Sequence, residues 1–281
     1  MAAPTHVQNA QNSSTSASST LGITFASDTT TGNLIVVIIR WFNGTTTVDS
    51  VTDSQGNTYV STSVGKQYNS SAQHSQQIFY AKNITGGTTP TVTVTFSGST
   101  ERRAVSIFEV QDADTTAPEE VTTSGNGTSA SHVGGNLTPA GAAILFAVDM
   151  QEWGYGSVTV PTSWTDYTTS TIWYIHKIGY REVSTGGTYD TTFTGANVAY
   201  YTQGVAFKEA AGGSVETGAG ASAGVATATA VGASTFTGAG VATASATAAG
   251  VGASTASADG ASDGAATVGG VGSGILTGAG S

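Results

Sequence analysis

The sequence contains no cysteine and only 9% charged residues, and both shortages exclude whole classes of protein. Without cysteine there can be no disulfide and no thiolate metal site. Eight Lys and Arg stand against eighteen Asp and Glu. The formal net charge of -10 leaves too few cations to neutralise a run of phosphates, so no nucleic-acid partner is expected. Long hydrophobic runs are also missing. The most apolar stretch, "NLIVVIIRWF" from Asn33 to Phe42, is too short to span a bilayer and is interrupted by Arg40. It reads as a buried central strand, and no membrane association is expected. The opening "MAAPTHVQNAQNSSTS" has neither a basic nor an apolar signal region, so no secretory leader is predicted.

What the chain does have is glycine, 38 of them, distributed unevenly. All eight basic residues, all four histidines and every aromatic except Phe236 precede residue 209. The composition therefore divides the chain into a body, residues 1–208, and a Gly/Ala/Ser/Thr-rich arm, residues 209–281. In the body, β-branched and aromatic runs alternate with Gly, Ser, Thr and Asn clusters, and no helical periodicity is visible. "TVTVTF" at Thr91 to Phe96 alternates strictly, with Val92, Val94 and Phe96 on one face. The pattern predicts an all-β body, a two-sheet antiparallel β-sandwich of jelly-roll or immunoglobulin-like type.

"VTDSQGNTY", Val51 to Tyr59, raises the question of a cation loop. Asp53 is its only acidic residue, too few ligands for a calcium site. A hairpin fits instead, with an Asx-turn at Asp53 and a positive φ at Gly56. No metal site is predicted here, and the four separated histidines form no HxH or HExxH pair.

In order along the chain, "GNLIVVIIRW", "SVTDSQGNTY", "IFYAKNITGG", "TVTVTFSG" and "QGVAFKE" resemble a β-sandwich domain of phage virion proteins and secreted bacterial proteins. The resemblance implies a fold and a setting. Its motifs are turns and core strands, so it implies no site.

From Glu216 the arm repeats with a period of 20: "ETGAGASAGVATATAVGAST", "FTGAGVATASATAAGVGAST", "ASADGASDGAATVGGVGSGI" and the start of a further unit, "LTGAGS". Repetition of this kind points to stacked supersecondary units, and "GVATATAV" alternates as a strand does. The small side chains offer little area to bury against the entropy of ordering, so the arm is expected to be flexible alone or ordered on assembly with neighbours.

Catalytic constellations are not legible. "FEVQDAD" places Glu109, Asp112 and Asp114 around a strand end and reads as solvated; a buried Glu109 bonded to an Arg is the other reading. No GxSxG elbow is present, and the Gly-rich arm lacks the Lys of a phosphate loop. The stretch "QEWGYGSVTVPTSWTDY" stands out because Trp153, Tyr155, Trp164 and Tyr167 gather in a loop-rich region. Exposed rings there would stack on sugar faces. The same residue types also plug the ends of sandwich cores. These four are the candidate glycan-binding residues, with no catalytic residue, cofactor or metal. The expectation is a non-enzymatic phage virion component whose partners are other virion proteins or identical copies, with surface glycan a further partner. The alternative is a carbohydrate-binding or adhesive module of a bacterial surface or secreted protein.

Overall fold

The alternation of β-branched runs with turn residues is realised as strands throughout. The computed structural model describes residues 2–151, 157–169 and 176–210, together with the backbone of seven strands in the arm, and no described residue is helical. The chain divides into two units, the body at residues 2–210 and the arm at 211–281.

The first half of the body comprises β1 (Thr5–Ser14), β2 (Ser18–Thr24), β3 (Leu34–Phe42), β4 (Val48–Asp53), β5 (Val60–Ser61), β6 (Gln67–Asn69), β7 (His74–Ala81), β8 (Thr91–Thr100) and β9 (Arg103–Gln111). One sheet runs β1-β9-β3-β7-β5, with β6 also on β7, and a second runs β2-β8-β4. The second half comprises β10 (Glu119–His132), β11 (Asn136–Leu137), β12 (Ala143–Gln151), β13 (Thr165–Thr169), β14 (His176–Val183), β15 (Tyr189–Asp190) and β16 (Phe193–Lys208). Its main sheet runs β10-β16-β12-β14-β13, with β11-β15 as a small separate pair.

The body is thus all-β, built of antiparallel sheets compatible with a β-sandwich, but it is layered more deeply than two sheets. The reason lies in β3. "LIVVIIRWF" lacks polar alternation because both of its faces are covered. Ile35, Val37, Ile39 and Trp41 belong to a core shared with Leu21, Ile23, Val92, Val94 and Phe96 of the three-stranded sheet. Leu34, Val36 and Ile38 belong to a second core shared with Ile144, Phe146 and Val148 of β12. On the far side of β12, Leu145 and Ala147 join a third core with Leu137, Trp164 and Phe193. Each large side chain buried this way contributes about 1.5–3 kcal/mol, so three stacked cores stabilise more than one sandwich interior could.

The two strand orders, β1-β9-β3-β7-β5 and β10-β16-β12-β14-β13, are the same order. The match extends to register. Val36 pairs with Tyr80 and Phe108, and Phe146 pairs with Tyr180 and Val205. A bulge falls after the pair His6–Val110 in β1 and after the pair Glu119–Phe207 in β10. It interrupts the ladder at the same point, since Val110 lies opposite Leu34 and Phe207 opposite Ile144. The turn after β7 also recurs. "TGGT" at Thr85–Thr88 is repeated at Thr185–Thr188. A Cβ on Gly86 would come within 2.4 Å of the Thr29 carbonyl oxygen, and one on Gly186 within 2.3 Å of that of Ala140. Glycine is needed at both because a backbone passes where a side chain would be. The body is therefore two modules of one architecture. The first has a complete second sheet; among the described residues of the second module, the strands in that place are β11-β15 and a bridge between Thr159 and Thr194.

In the arm, β17 (Val215–Ala219), β19 (Ser234–Ala239), β21 (Ser254–Asp259) and β23 (Gly274–Ala279) form one parallel sheet, and β18 (Val225–Thr229), β20 (Ser245–Ala249) and β22 (Ala265–Gly269) form another. Each residue pairs with its counterpart one repeat on, as in Thr217 with Thr237 and Thr247 with Thr267. The chain alternates between the two sheets, one strand of each per repeat, so the sequence period is the pairing register.

Candidate functional site

The sequence singles out the loop aromatics Trp153, Tyr155, Trp164 and Tyr167. Trp153 and Tyr155 lie outside the described residues. Trp164 is only 7% exposed and joins the third core. It lies on Gly179, whose missing Cβ would stand 3.4 Å from the ring. As it sits, Trp164 plugs the core and offers no face to a sugar. Its place follows from the duplication: Val60 and Thr165 pair with Tyr80 and Tyr180, so Trp164 is the counterpart of Tyr59, which also packs against its module's inner core. Tyr167 is half-buried, with its ring edge-on to Phe108 at 4.9 Å. The adjacent Asp166 pairs with Lys177 at 2.5 Å.

The Asp53 corner is fully committed to the fold. The Oδ1 atom of Asp53 accepts from the backbone N–H groups of Gln55 and Asn57, at 2.9 and 3.0 Å. Its Oδ2 atom accepts from Asn57 Nδ2 and from the Tyr59 hydroxyl, both at 2.8 Å. Gly56 has φ +76, as the Asx-turn requires. The flanking strands do not pair with each other, however: β4 pairs with β8, and β5 with β7. The turn is a corner between two sheets rather than a hairpin. Its tip is clamped by Asn57, which accepts from the Thr85 N–H at 2.7 Å. Beside the Asp53 carboxylate, the Tyr59 phenol is pushed far up by burial and by that charge.

Glu109 is fully buried, contrary to the solvated strand end read from "FEVQDAD". Among the described residues its hydrogen-bond donors are uncharged. Its oxygens accept from Gln8 Nε2 at 2.7 Å, the Thr30 N–H at 2.8 Å and Asn33 Nδ2 at 2.7 Å. Three donors compensate a buried carboxylate without a cation. Asp114 turns to the backbone N–H groups of Thr116 and Ala117 and to Lys208 at 3.5 Å. Burial raises its pKa, but these bonds leave it below the ordinary value.

The most distinctive polar group is one the sequence reading missed. Asp149, in the apolar run "AILFAVDMQ" of β12, is completely buried, and both of its oxygens lie 3.1 Å from His132 Nδ1. His132 Nε2 faces the Ala196 carbonyl at 3.0 Å, so this nitrogen donates. The ring stacks on Tyr200 at 4.5 Å and 10°. Gly195 makes this approach feasible, since a Cβ there would fall 2.6 Å from His132 Cε1. Burial lowers the His132 pKa, but hydrogen bonds and the Asp149 charge raise it further, for a net increase. Burial raises Asp149 in turn, against the pull of His132 and Arg40. The pair is a histidine–carboxylate dyad without a reactive end: Nε2, which would serve a nucleophile, is bound to a backbone carbonyl. His74 is likewise held, its Nδ1 at 2.5 Å from the Ala72 carbonyl, and burial with nearby Arg40 pushes its pKa down to about 3. Among the described residues, no group of three or more acidic or histidine side chains is placed to hold a metal. The signal that could have found the dyad is the lone Asp in an otherwise apolar strand, which has to find a buried partner.

No protein-family model, curated protein or solved structure matches this chain.

Proposed function

We propose that the chain is a non-enzymatic phage virion component, a head-decoration, fibre or tail-associated protein. In this reading the sandwich body is displayed, and the repeat arm packs against identical copies or other virion proteins. The observation that carries the reading is the arm. A parallel stack in which every repeat pairs with the next at one register can be extended or joined by like strands, and its small residues allow close backbone approach. The resemblance of the body's turns and core strands to virion sandwich domains supports it. So does the commitment of Asp53, Glu109 and the His132–Asp149 dyad to internal hydrogen bonds, which leaves them no capacity for chemistry. Such a protein assembles in the host cytoplasm and leaves by lysis.

Antibodies raised against the body test this. Gradient-purified particles from a lysing culture should carry the protein in multiple copies per particle and be decorated in immunoelectron microscopy. Recovery only from the cell envelope or medium, with none in particles, would overturn the virion reading in favour of an adhesive surface module.

A further inference from the structure

The face shared by the two modules has the construction of a dimer interface. Equivalent side chains meet across it: Leu34, Val36, Ile38 and Ile78 from the first module, and Ile144, Phe146, Val148 and Ile178 from the second. The contacts are also reciprocal. His6 and Glu119 are equivalent by register, as are Tyr80 and Tyr180. His6 lies against Tyr180 with ring centroids 5.0 Å apart, and the Tyr80 phenol, raised in pKa by burial and then by the nearby Glu119 charge, has the Glu119 carboxylate in its surroundings. The first strand of each module therefore faces the same tyrosine of the other. Where β9 and β16 end, Ala113 and Glu209 form an antiparallel bridge, with Asp114 N–H donating to Lys208 O at 3.0 Å and Ala210 N–H to Asp112 O at 3.0 Å. Residue i meeting j while the counterpart of j meets the counterpart of i is the signature of a two-fold, self-complementary interface.

We propose that the body is a fused dimer: the outer face of β1-β9-β3-β7 is a self-recognition surface whose partner is a module of its own kind, and the covalent connection is dispensable to the pairing. The connection is short and its middle is exposed at Thr115, Thr116 and Ala117, so it can be opened without entering either core.

The experiment uses the full chain with a specific protease site inserted between Thr115 and Thr116. Before cutting, it should melt like the wild type. After cutting in native buffer, the fragments should co-elute and appear in native mass spectrometry as a 1:1 complex, with near-ultraviolet circular dichroism unchanged. Fragments that separate or precipitate on cutting would overturn the proposal. Should the insertion itself impair folding, the same cut is made with the site between Ala117 and Pro118, read by the same outcomes. In the cut protein, Phe146→Asp should release the fragments from each other, whereas Thr128→Asp on the exposed side of β10 should not. A complex that survives Phe146→Asp would show that this face does not hold the pair.

Discussion

Ile39 and Asp149 hold the same place in two copies of one architecture, and the two modules make opposite use of it. In the first module Ile39 lies beside Trp41 and Val105 in an apolar inner core. In the second module the corresponding register positions carry Asp149, Gln151 and Thr202, all buried. The first module covers its inner face with a three-stranded sheet; the second covers its own with a two-residue ladder, Trp164 and the stretch around His132. The difference teaches that a sandwich interior accepts a buried histidine–carboxylate pair where both ring nitrogens have partners, Asp149 and the Ala196 carbonyl, and the Tyr200 ring packs on the imidazole. Among the described residues, local polarity therefore marks the module whose inner face is covered by the shorter ladder.

Transferring one module's solution to the other should give the largest effect. Ile39→Asp buries a carboxylate with no histidine beside it, which costs several kcal/mol and should abolish the cooperative melt of the body in circular dichroism. Retention of a wild-type melt would mean that the first module's core is not closed. Next in size, Asp149→Ala strands His132 and should destabilise by about 3–5 kcal/mol in urea unfolding. The double replacement Asp149→Leu with His132→Leu should recover most of that loss, because two apolar residues there need no partners. A smaller matched effect is expected at the repeated turn, where Gly86→Ala and Gly186→Ala should each cost about 1–3 kcal/mol through backbone crowding. A large loss at only one of them would break the equivalence of the modules.

The smallest effect is on pH dependence. His132 has its pKa raised on folding, so its contribution is present below the unfolded value of about 6.5 and is lost as pH rises through the folded pKa. His74 works in the opposite sense: its folded pKa is lowered, so stability falls as pH drops below about 6.5. Melting temperature should therefore decline on the alkaline side in the wild type and decline less in His132→Gln, while His74→Gln flattens the acid side. An alkaline slope unchanged by His132→Gln would remove the dyad from the account.

The strands, the all-β class and the Asp53 turn were legible because each is local: "TVTVTF" alternates, "NLIVVIIRWF" is apolar from Leu34 to Ile39 without polar alternation, and Asp53 stands three residues before Gly56. The run of apolar residues in β3 fits burial on both faces, which a third layer supplies. The duplication was hidden because core positions diverged in kind, Ile39 against Asp149 and Ile107 against Gly204, while only the steric requirements persisted, as in "TGGT". The burial of Glu109 was one of two readings of "FEVQDAD", but its partners and the dyad were not legible, since Gln8, Asn33 and His132 reach them from distant parts of the chain. Trp164 could be read from sequence as exposed or as a core plug, and only its equivalence with Tyr59 explains why it is the plug.

The absence of cysteine provides a background-free test of the central claim, that two equivalent modules meet about a two-fold relation. Two double variants are made, His6→Cys with Tyr180→Cys and Tyr80→Cys with Glu119→Cys, along with the crossed control His6→Cys with Tyr80→Cys. The crossed pair lies within one sheet, three strand spacings or about 14 Å apart across the strands and a further two residues offset along them. With a short thiol-reactive linker, mass spectrometry should find both reciprocal pairs joined within single chains and the crossed pair unjoined. Linkage in only one of the reciprocal pairs, or in the crossed control, would contradict the two-fold arrangement.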